Sequence, residues 1–222
     1  MGRRARASRD PVAGLARTLE AVTGQPITVE ANSCFARYLD LLLLWNRAHR
    51  LTALDSADAI VRVLFEDSLL FFALLPPRPL RIVDIGAGAG IPGVPLRIVD
   101  PGIRLTLVES RRKRVSFLRT IKRELQLEDL EVVEGRAEAV WRQTIESEGE
   151  FDVAVARAVG PPAELIPVAL RYLKPHGRFI ASGPPADRLH GAARLPVNAR
   201  WEIRDFPILR LKRAFLVATK ED

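Results

Sequence analysis

Residues 83–96 read VDIGAGAGIPGVPL, and this stretch limits the possible folds more than any other. Four glycines, Gly86, Gly88, Gly90 and Gly93, fall within the nine residues after Asp84. They follow the apolar run LRIVDI, which has the composition of a buried strand. Glycine has no Cβ, so it adopts left-handed backbone freely and lets a ligand or a helix approach closely. An apolar strand that breaks into glycines and resumes as a helix is the first turn of a nucleotide-binding α/β fold.

The rest of the chain fits that reading. IRLTLVES is a second strand, followed by an amphipathic helix from Arg112 to Leu125. LEVVEG and FDVAVARA are a third and a fourth strand, and a helix near Ala163–Tyr172 leads to a fifth, GRFIAS. Alternating strands and helices predict a parallel sheet covered on both faces. The tail changes habit: RWEIRDFPIL and RAFLVATK succeed each other with no helix between, which predicts an antiparallel pair at one edge.

Two glycine registers compete. A dinucleotide fingerprint laid on Gly88, Gly90 and Gly93 places Pro92 inside the motif and forces the strand past Gly86. The register Gly86, Gly88, Gly90 starts directly after the strand and leaves Asp84 at its last turn. That carboxylate would repel a pyrophosphate, whereas the ammonium and sulfonium of S-adenosylmethionine would be drawn to it. Glu109 ends the second strand 25 residues later, where an acid accepts hydrogen bonds from ribose hydroxyls. Arg136 to Glu138, after the third strand, are placed to line the adenine edge. The acid, the glycine register and the antiparallel tail together favour S-adenosylmethionine and a class I methyltransferase: a Rossmann-like, mostly parallel seven-stranded sheet with an antiparallel C-terminal edge.

Before this core, Phe35, Tyr38, Leu39, Leu42 and Trp45 recur at helical spacing, with Asn32 or Ser33 as the expected cap. A second helix is expected from about Ser56 to Leu75, ending before Pro76-Pro77. Residues 1–77 therefore read as a helical extension, its first 25 or so frayed, and residues 78–222 as the methyltransferase domain. The net charge of +7, from 34 Lys and Arg against 27 Asp and Glu, raises the odds of a nucleic-acid partner. A single cysteine, Cys34, excludes an internal disulfide and suits the cytoplasm. The apolar runs are too short to span a bilayer, no signal-peptide stretch follows the basic start, and a monomer is expected.

In order along the chain, VDIGAGAGIPGVPL, LVESRRKRVSFL, VVEGRAEAV and FDVAVARAV resemble the glucose-inhibited division protein B family. These are bacterial methyltransferases acting at N7 of a guanine in small-subunit ribosomal RNA. WNRAHRLTAL, FEDSLL and LKRAFLVATK resemble the family's N-terminal helices and last strand, so the likeness covers roughly residues 35 to 220. It implies cofactor contacts at Gly86, Ile91, Ala137, Glu138 and Arg157. Asp84, Gly88 and Glu109 join them on the physical grounds above. Arg157 is expected to hold the methionine carboxylate or the RNA, with a surface ion pair as its plainer role.

The chain departs from the family at Arg50 and Leu64, at Ser182 before Gly183, and at Ala214 after Arg213. The cofactor loop is intact, while the departures gather where RNA or the target base would be held.

Guanine N7 carries a lone pair and no proton, so its attack on a methyl group requires alignment rather than a general base. No catalytic side chain is therefore expected, and His49, His176 and His190 form no constellation; nor is a metal-ligand set present. The run RRKRVSFLRTIKR is either a solvated helix face or a phosphate-binding one. Its start beside Glu109 favours phosphate, with Lys113, Arg112 and Arg114 as RNA contacts and Arg213 across the cleft. Three functions stand: methylation of small-subunit ribosomal RNA, alone or in the subunit; methylation of another substrate; and a non-catalytic RNA-binding assembly factor.

Overall fold

A computed structural model of the chain describes residues 12–77, 80–144, 149–157, 160–185, 195 and 198–221. The basic opening decapeptide, His190 and the last residue of the expected fourth strand, Ala158, lie outside the described residues.

Seven strands form one sheet: β1 (Leu80–Ile85), β2 (Ile103–Glu109), β3 (Leu130–Glu134), β4 (Phe151–Arg157), β5 (Leu173–Pro185), β6 (Ala199–Phe206) and β7 (Leu211–Thr219). Their spatial order is β3-β2-β1-β4-β5-β7-β6. The first five run parallel, and β7 pairs antiparallel with both β5 and β6. The expected class I methyltransferase fold is present, antiparallel edge included. Chain order reverses between β1 and β4, and that divergence opens a crevice at the carboxyl ends of the strands.

Side chains alternate across a strand with a period of two, and the sheet uses that parity strictly. Ile82, Leu105, Leu107, Val153, Val155, Phe215 and Val217 belong to one buried cluster. Val83, Ile85, Val108, Ala154, Ala156, Leu216 and Ala218 belong to the other. The first cluster is sealed by α2 (Val29–His49), α5 (Gly93–Val99) and α6 (Arg112–Glu124), with α1 (Ala13–Thr23) at its margin. The second is sealed by α7 (Ala137–Thr144) and α8 (Pro162–Tyr172).

The N-terminal helices thus share a core with the sheet. The stretch expected to fray up to about residue 25 is helical from Ala13, because Val12, Leu15 and Leu19 bury one stripe and Gly24 closes the helix in left-handed backbone. The long helix starts earlier than its apolar spacing suggested: Thr28 caps it, its Oγ1 accepting from Ala31 N, in place of Asn32 or Ser33. The expected helix from Ser56 to Leu75 changes pitch along its length: α3 (Ala57–Ile60), a π-helical turn (Val61–Glu66), α4 (Asp67–Leu69) and a 3₁₀ turn (Leu70–Ala73). Pro207–Leu209, expected within a strand, form a 3₁₀ turn between β6 and β7. No helix among the described residues is long and apolar enough to cross a membrane.

Candidate active site

The glycine loop combines left-handed backbone, which favours glycine, with backbone hydrogen bonds to the neighbouring strand. Gly86, Gly88 and Gly90 have φ of 70°, 61° and 90°. The N–H groups of Gly86 and Ala87 donate to Val108 O at 2.9 and 3.1 Å, fastening the loop to the end of β2. Tyr38, fully buried on α2, donates from its hydroxyl to Ala89 O and stacks on Phe65 with ring centroids 4.8 Å apart. A helix outside the sheet therefore holds the loop from behind. A Cβ at Gly90 would lie 2.7 Å from Val94 Cγ2 and 2.8 Å from the Tyr38 hydroxyl, so no larger residue fits.

The two acids singled out in the sequence lie beneath this loop. Asp84 is 0% exposed; its Oδ2 accepts from Gly93 N at 2.8 Å and its Oδ1 has no partner among the described residues. Burial pushes its carboxyl up to about 7, against the downward pull of the Gly93 hydrogen bond, and the nearby Glu109 charge adds to the rise. Glu109 is 4% exposed, with Oε2 accepting from Gly88 N at 2.9 Å and Oε1 from Arg111 N at 2.8 Å. Neither carboxylate lines the pocket. Both, expected to meet the cofactor's cation and ribose, brace backbone amides of the loop and its flanks, and parity sets their direction. Residues 82, 84, 105, 107 and 109 share one face, and that face is covered by α5 and α6.

The opposite parity lines the pocket. Ile85, Gly86, Val108 and Ser110 form one wall, Gly135 to Glu138 a second, and Gly160, Pro161 and Glu164 at the start of α8 a third. Gly135 is fixed by space: its φ is 153°, and a Cβ there would lie 2.2 Å from Val140 Cγ1. Of the residues expected to bind cofactor, Gly86, Ala137 and Glu138 come together here. Ile91 is 6% exposed and packs in the core below the loop, and Gly88 is tied to Glu109. Ser110 and Glu164 were missed. Ser110 was legible as the residue of opposite parity to Glu109; Glu164 carried no signal before the fold placed α8 across the crevice.

Arg157 ends β4 on the other face, away from this pocket. Its Nη1 lies 3.3 Å from Asp67 Oδ2, and Arg213 Nη2 lies 2.7 Å from Asp67 Oδ1 and 2.8 Å from Oδ2. Arg213 also donates to Ser182 Oγ at 3.3 Å. Burial lowers the Arg157 pKa, Asp67 opposes that shift, and Arg213 reinforces it. Asp67 went unrecognised in the sequence as the centre of this cluster. Arg213, expected among the RNA contacts, is mostly buried against it.

On α6, Lys113 is exposed and Arg112 Nε lies 3.7 Å from Glu134, with the arginine side chain 91% exposed. Arg114 leans over the glycine loop, its Nη1 3.7 Å from Glu109 Oε2. The basic run is thus partly solvent-facing and partly a clamp on the loop.

The strand order, the crevice between β1 and β4 and the glycine loop define a class I S-adenosylmethionine-dependent methyltransferase. The same fold is found in an O-methyltransferase from Bacillus cereus in complex with SAH, with TM-score 0.56, 18% identity, and 95% of this chain and 98% of that one covered. It is also found in a mutant of MtNAS in complex with S-adenosylmethionine, with TM-score 0.55, 20% identity, and 85% and 78% covered. More particularly, the chain belongs to the rRNA small subunit methyltransferase G (GidB) family, which matches residues 31–184. The family's Clostridium kluyveri protein is 38% identical over 153 residues, 68% of this chain and 64% of that one. The Chloroflexus aggregans protein is 37% identical over 173 residues, 77% and 72% of the two chains. Both are named ribosomal RNA small subunit methyltransferase G.

S-adenosylmethionine is the cofactor of this fold and family, and the residues present fit it. Gly86 offers backbone without a side chain, Ile85, Val108 and Leu165 supply apolar walls for a base, and Ser110, Glu138 and Glu164 supply polar groups at the rim.

Proposed function

We propose that this chain methylates N7 of a guanine in small-subunit ribosomal RNA. The observation that carries the reading is the pocket of Gly86, Ala137 and Glu138 at the strand ends, in a chain of this family. When bound, S-adenosylmethionine supplies a methyl group activated by a sulfonium. The chain's own residues bind, orient and exclude water. Gly86, Ala137 and Glu138 hold the nucleoside, Asp84 and Glu109 fix the loop that carries Gly86, and Tyr38 locks that loop to the N-terminal helices. Because N7 bears no proton, no residue has to remove one, and alignment supplies the rate. Lys113 and Arg112 at the start of α6 take phosphates of the RNA backbone. The reading extends to a monomer, and to the cytoplasm, where a ribosomal substrate lies.

The test is methyl transfer from labelled S-adenosylmethionine to small-subunit ribosomal RNA, as naked RNA and as the subunit, followed by borohydride reduction and aniline cleavage, which cuts at N7-methylguanosine. Cleavage at a single guanosine is expected. Transfer without that cleavage would assign another atom, and cofactor binding with no transfer to either form would favour a non-catalytic assembly role.

A further inference from the structure

A second concavity lies on the other side of β4 from the cofactor pocket. This groove of about 1190 Å³ runs between α1, the π-helical turn and the start of β7. Parity and strand direction create it. Residues 153, 155 and 157 of β4 and 213, 215 and 217 of β7 share the face covered by the N-terminal helices. Because β7 runs antiparallel, its first residues reach the carboxyl ends of the parallel strands, where Arg213 meets Arg157.

Among the described residues, five arginines (Arg17, Arg62, Arg157, Arg210 and Arg213) line the groove against the three acids Asp58, Glu66 and Asp67, an excess of two positive charges. Two of the acids are already engaged. Asp67 lies between Arg157 and Arg213, and Glu66, its carboxyl raised by burial, is pulled back down by Arg62 and Arg17. Arg213 Nε is a buried atom with no hydrogen-bond partner among the described residues, and Arg157 Nη1 is held only by its ion pair with Asp67 Oδ2 at 3.3 Å, without a hydrogen bond. A buried guanidinium donor without an acceptor is unfavourable, and an anion supplies one. Val63 and Leu211, 44% and 37% exposed, add an apolar shelf beside the arginines. Guanidiniums next to an exposed apolar shelf match a nucleotide, with phosphate for the first and base for the second. The π-helical turn that sets Arg62, Val63 and Glu66 along the rim is a geometry often met at functional sites.

We infer that this groove is where single-stranded RNA presents its target nucleotide. Arg62 and Arg210 hold phosphates at the mouth, and the Arg157–Asp67–Arg213 cluster forms the floor at the end of β4, across which the cofactor pocket lies. The inference rests on the ribosomal RNA reading and moves the RNA's decisive contact from α6 to the opposite side of the glycine loop.

The experiment measures binding of a labelled single-stranded RNA oligonucleotide containing guanosine, at several salt concentrations, alongside S-adenosylmethionine calorimetry and thermal melting. The proteins are the full chain and its R62A/R210A and Lys113→Ala variants. Arg62 and Arg210 are exposed, so the double variant is expected to melt as the parent does and to bind the cofactor unchanged. Its RNA affinity should fall about tenfold or more, and its log–log salt slope should shrink by about 1.4, for two single-strand phosphate contacts. RNA affinity and slope equal to the parent's overturn the groove, as does a parent that binds no RNA. An acidic peptide that binds the parent, loses affinity in the double variant and leaves RNA binding unaffected would assign the groove to a protein partner. If the double variant loses RNA but the parent fails to methylate ribosomal RNA, the groove stands and the functional reading falls. If the parent methylates and the double variant still binds RNA normally, the reverse holds.

Discussion

The N–H of Gly93 donates to Oδ2 of Asp84 at 2.8 Å, and a Cβ on Gly93 would sit 2.8 Å from that same oxygen. The first strand and the helix after the loop are therefore joined by one carboxylate–amide contact with no room for a methyl group. Leu105 Cδ1, 3.0 Å from the same Cβ position, closes the other side. Gly93→Ala is expected to destabilise the fold by about 1–3 kcal/mol, as overpacking does. Urea unfolding measures it, and an unchanged midpoint would show that α5 shifts without strain.

Asp84 also gives the fold a pH dependence. Its carboxyl titrates at about 7 in the folded chain, against an ordinary value of 3.8. Between those values the folded chain keeps a proton that the unfolded chain has lost, so stability falls as pH rises, by up to about 1.4 kcal/mol per pH unit, and levels off above about 7. Asp84→Asn keeps an oxygen for Gly93 and removes the titration. The difference in unfolding free energy between parent and variant is expected to change steadily from pH 4 to 7, in the variant's favour at the higher pH. A constant difference would place the ionised carboxylate in a better-solvated site.

Tyr38→Phe removes the hydroxyl that Ala89 O accepts while leaving the ring stack with Phe65. Leaving a buried carbonyl without its donor should lower stability by about 1–3 kcal/mol. Because the lost contact holds the glycine loop, cofactor affinity should fall as well. Calorimetry on the folded variant separates the two effects, and full affinity would mean that Gly86 is set by β2 alone.

Glu109→Ala strips the acceptor from both Gly88 N and Arg111 N. S-adenosylmethionine affinity should drop about tenfold, roughly 1.4 kcal/mol, through loss of loop order. Glu109→Gln retains one acceptor and should fall between. Equal affinities for all three proteins would exclude the brace.

Lys113→Ala tests the start of α6. Removing one phosphate contact should lower the RNA salt slope by about 0.7 for a single strand or 0.9 for a duplex, with cofactor affinity unchanged. An unaltered slope would make the basic run a solvated face whose duties are ion pairs within the fold, Arg114 with Glu109 and Arg112 with Glu134.

Much of this protein is legible in its residues. Local chemistry suffices for the glycine loop, because only glycine holds φ between 61° and 90° at three nearby positions without strain. Short apolar runs separated by amphipathic helices give the parallel sheet, and two strands without a helix between them give the antiparallel edge. The parity of each strand is present too: Asp84 and Glu109 stand in step with Ile82 and Leu107, so the period of two turns them toward α5 and α6. Start and stop signals were weaker. Thr28 rather than Asn32 or Ser33 caps the long helix, because capping needs only a side-chain oxygen acceptor on a residue in extended backbone, which several neighbouring residues offer.

The Asp67 cluster was decided by tertiary structure alone. Asp67 and Arg213 are 146 residues apart, and nothing near either one names the other. They meet because β7 runs antiparallel beside β5 and delivers its first residues to the carboxyl edge of the sheet, and because the apolar stripe of the N-terminal helices can bury itself only against that face. The strand, the left-handed turns and the carboxylates that shape the loop follow from backbone sterics and side-chain alternation within a few residues. Which charges share the groove depended on strand order and direction, which long-range packing sets.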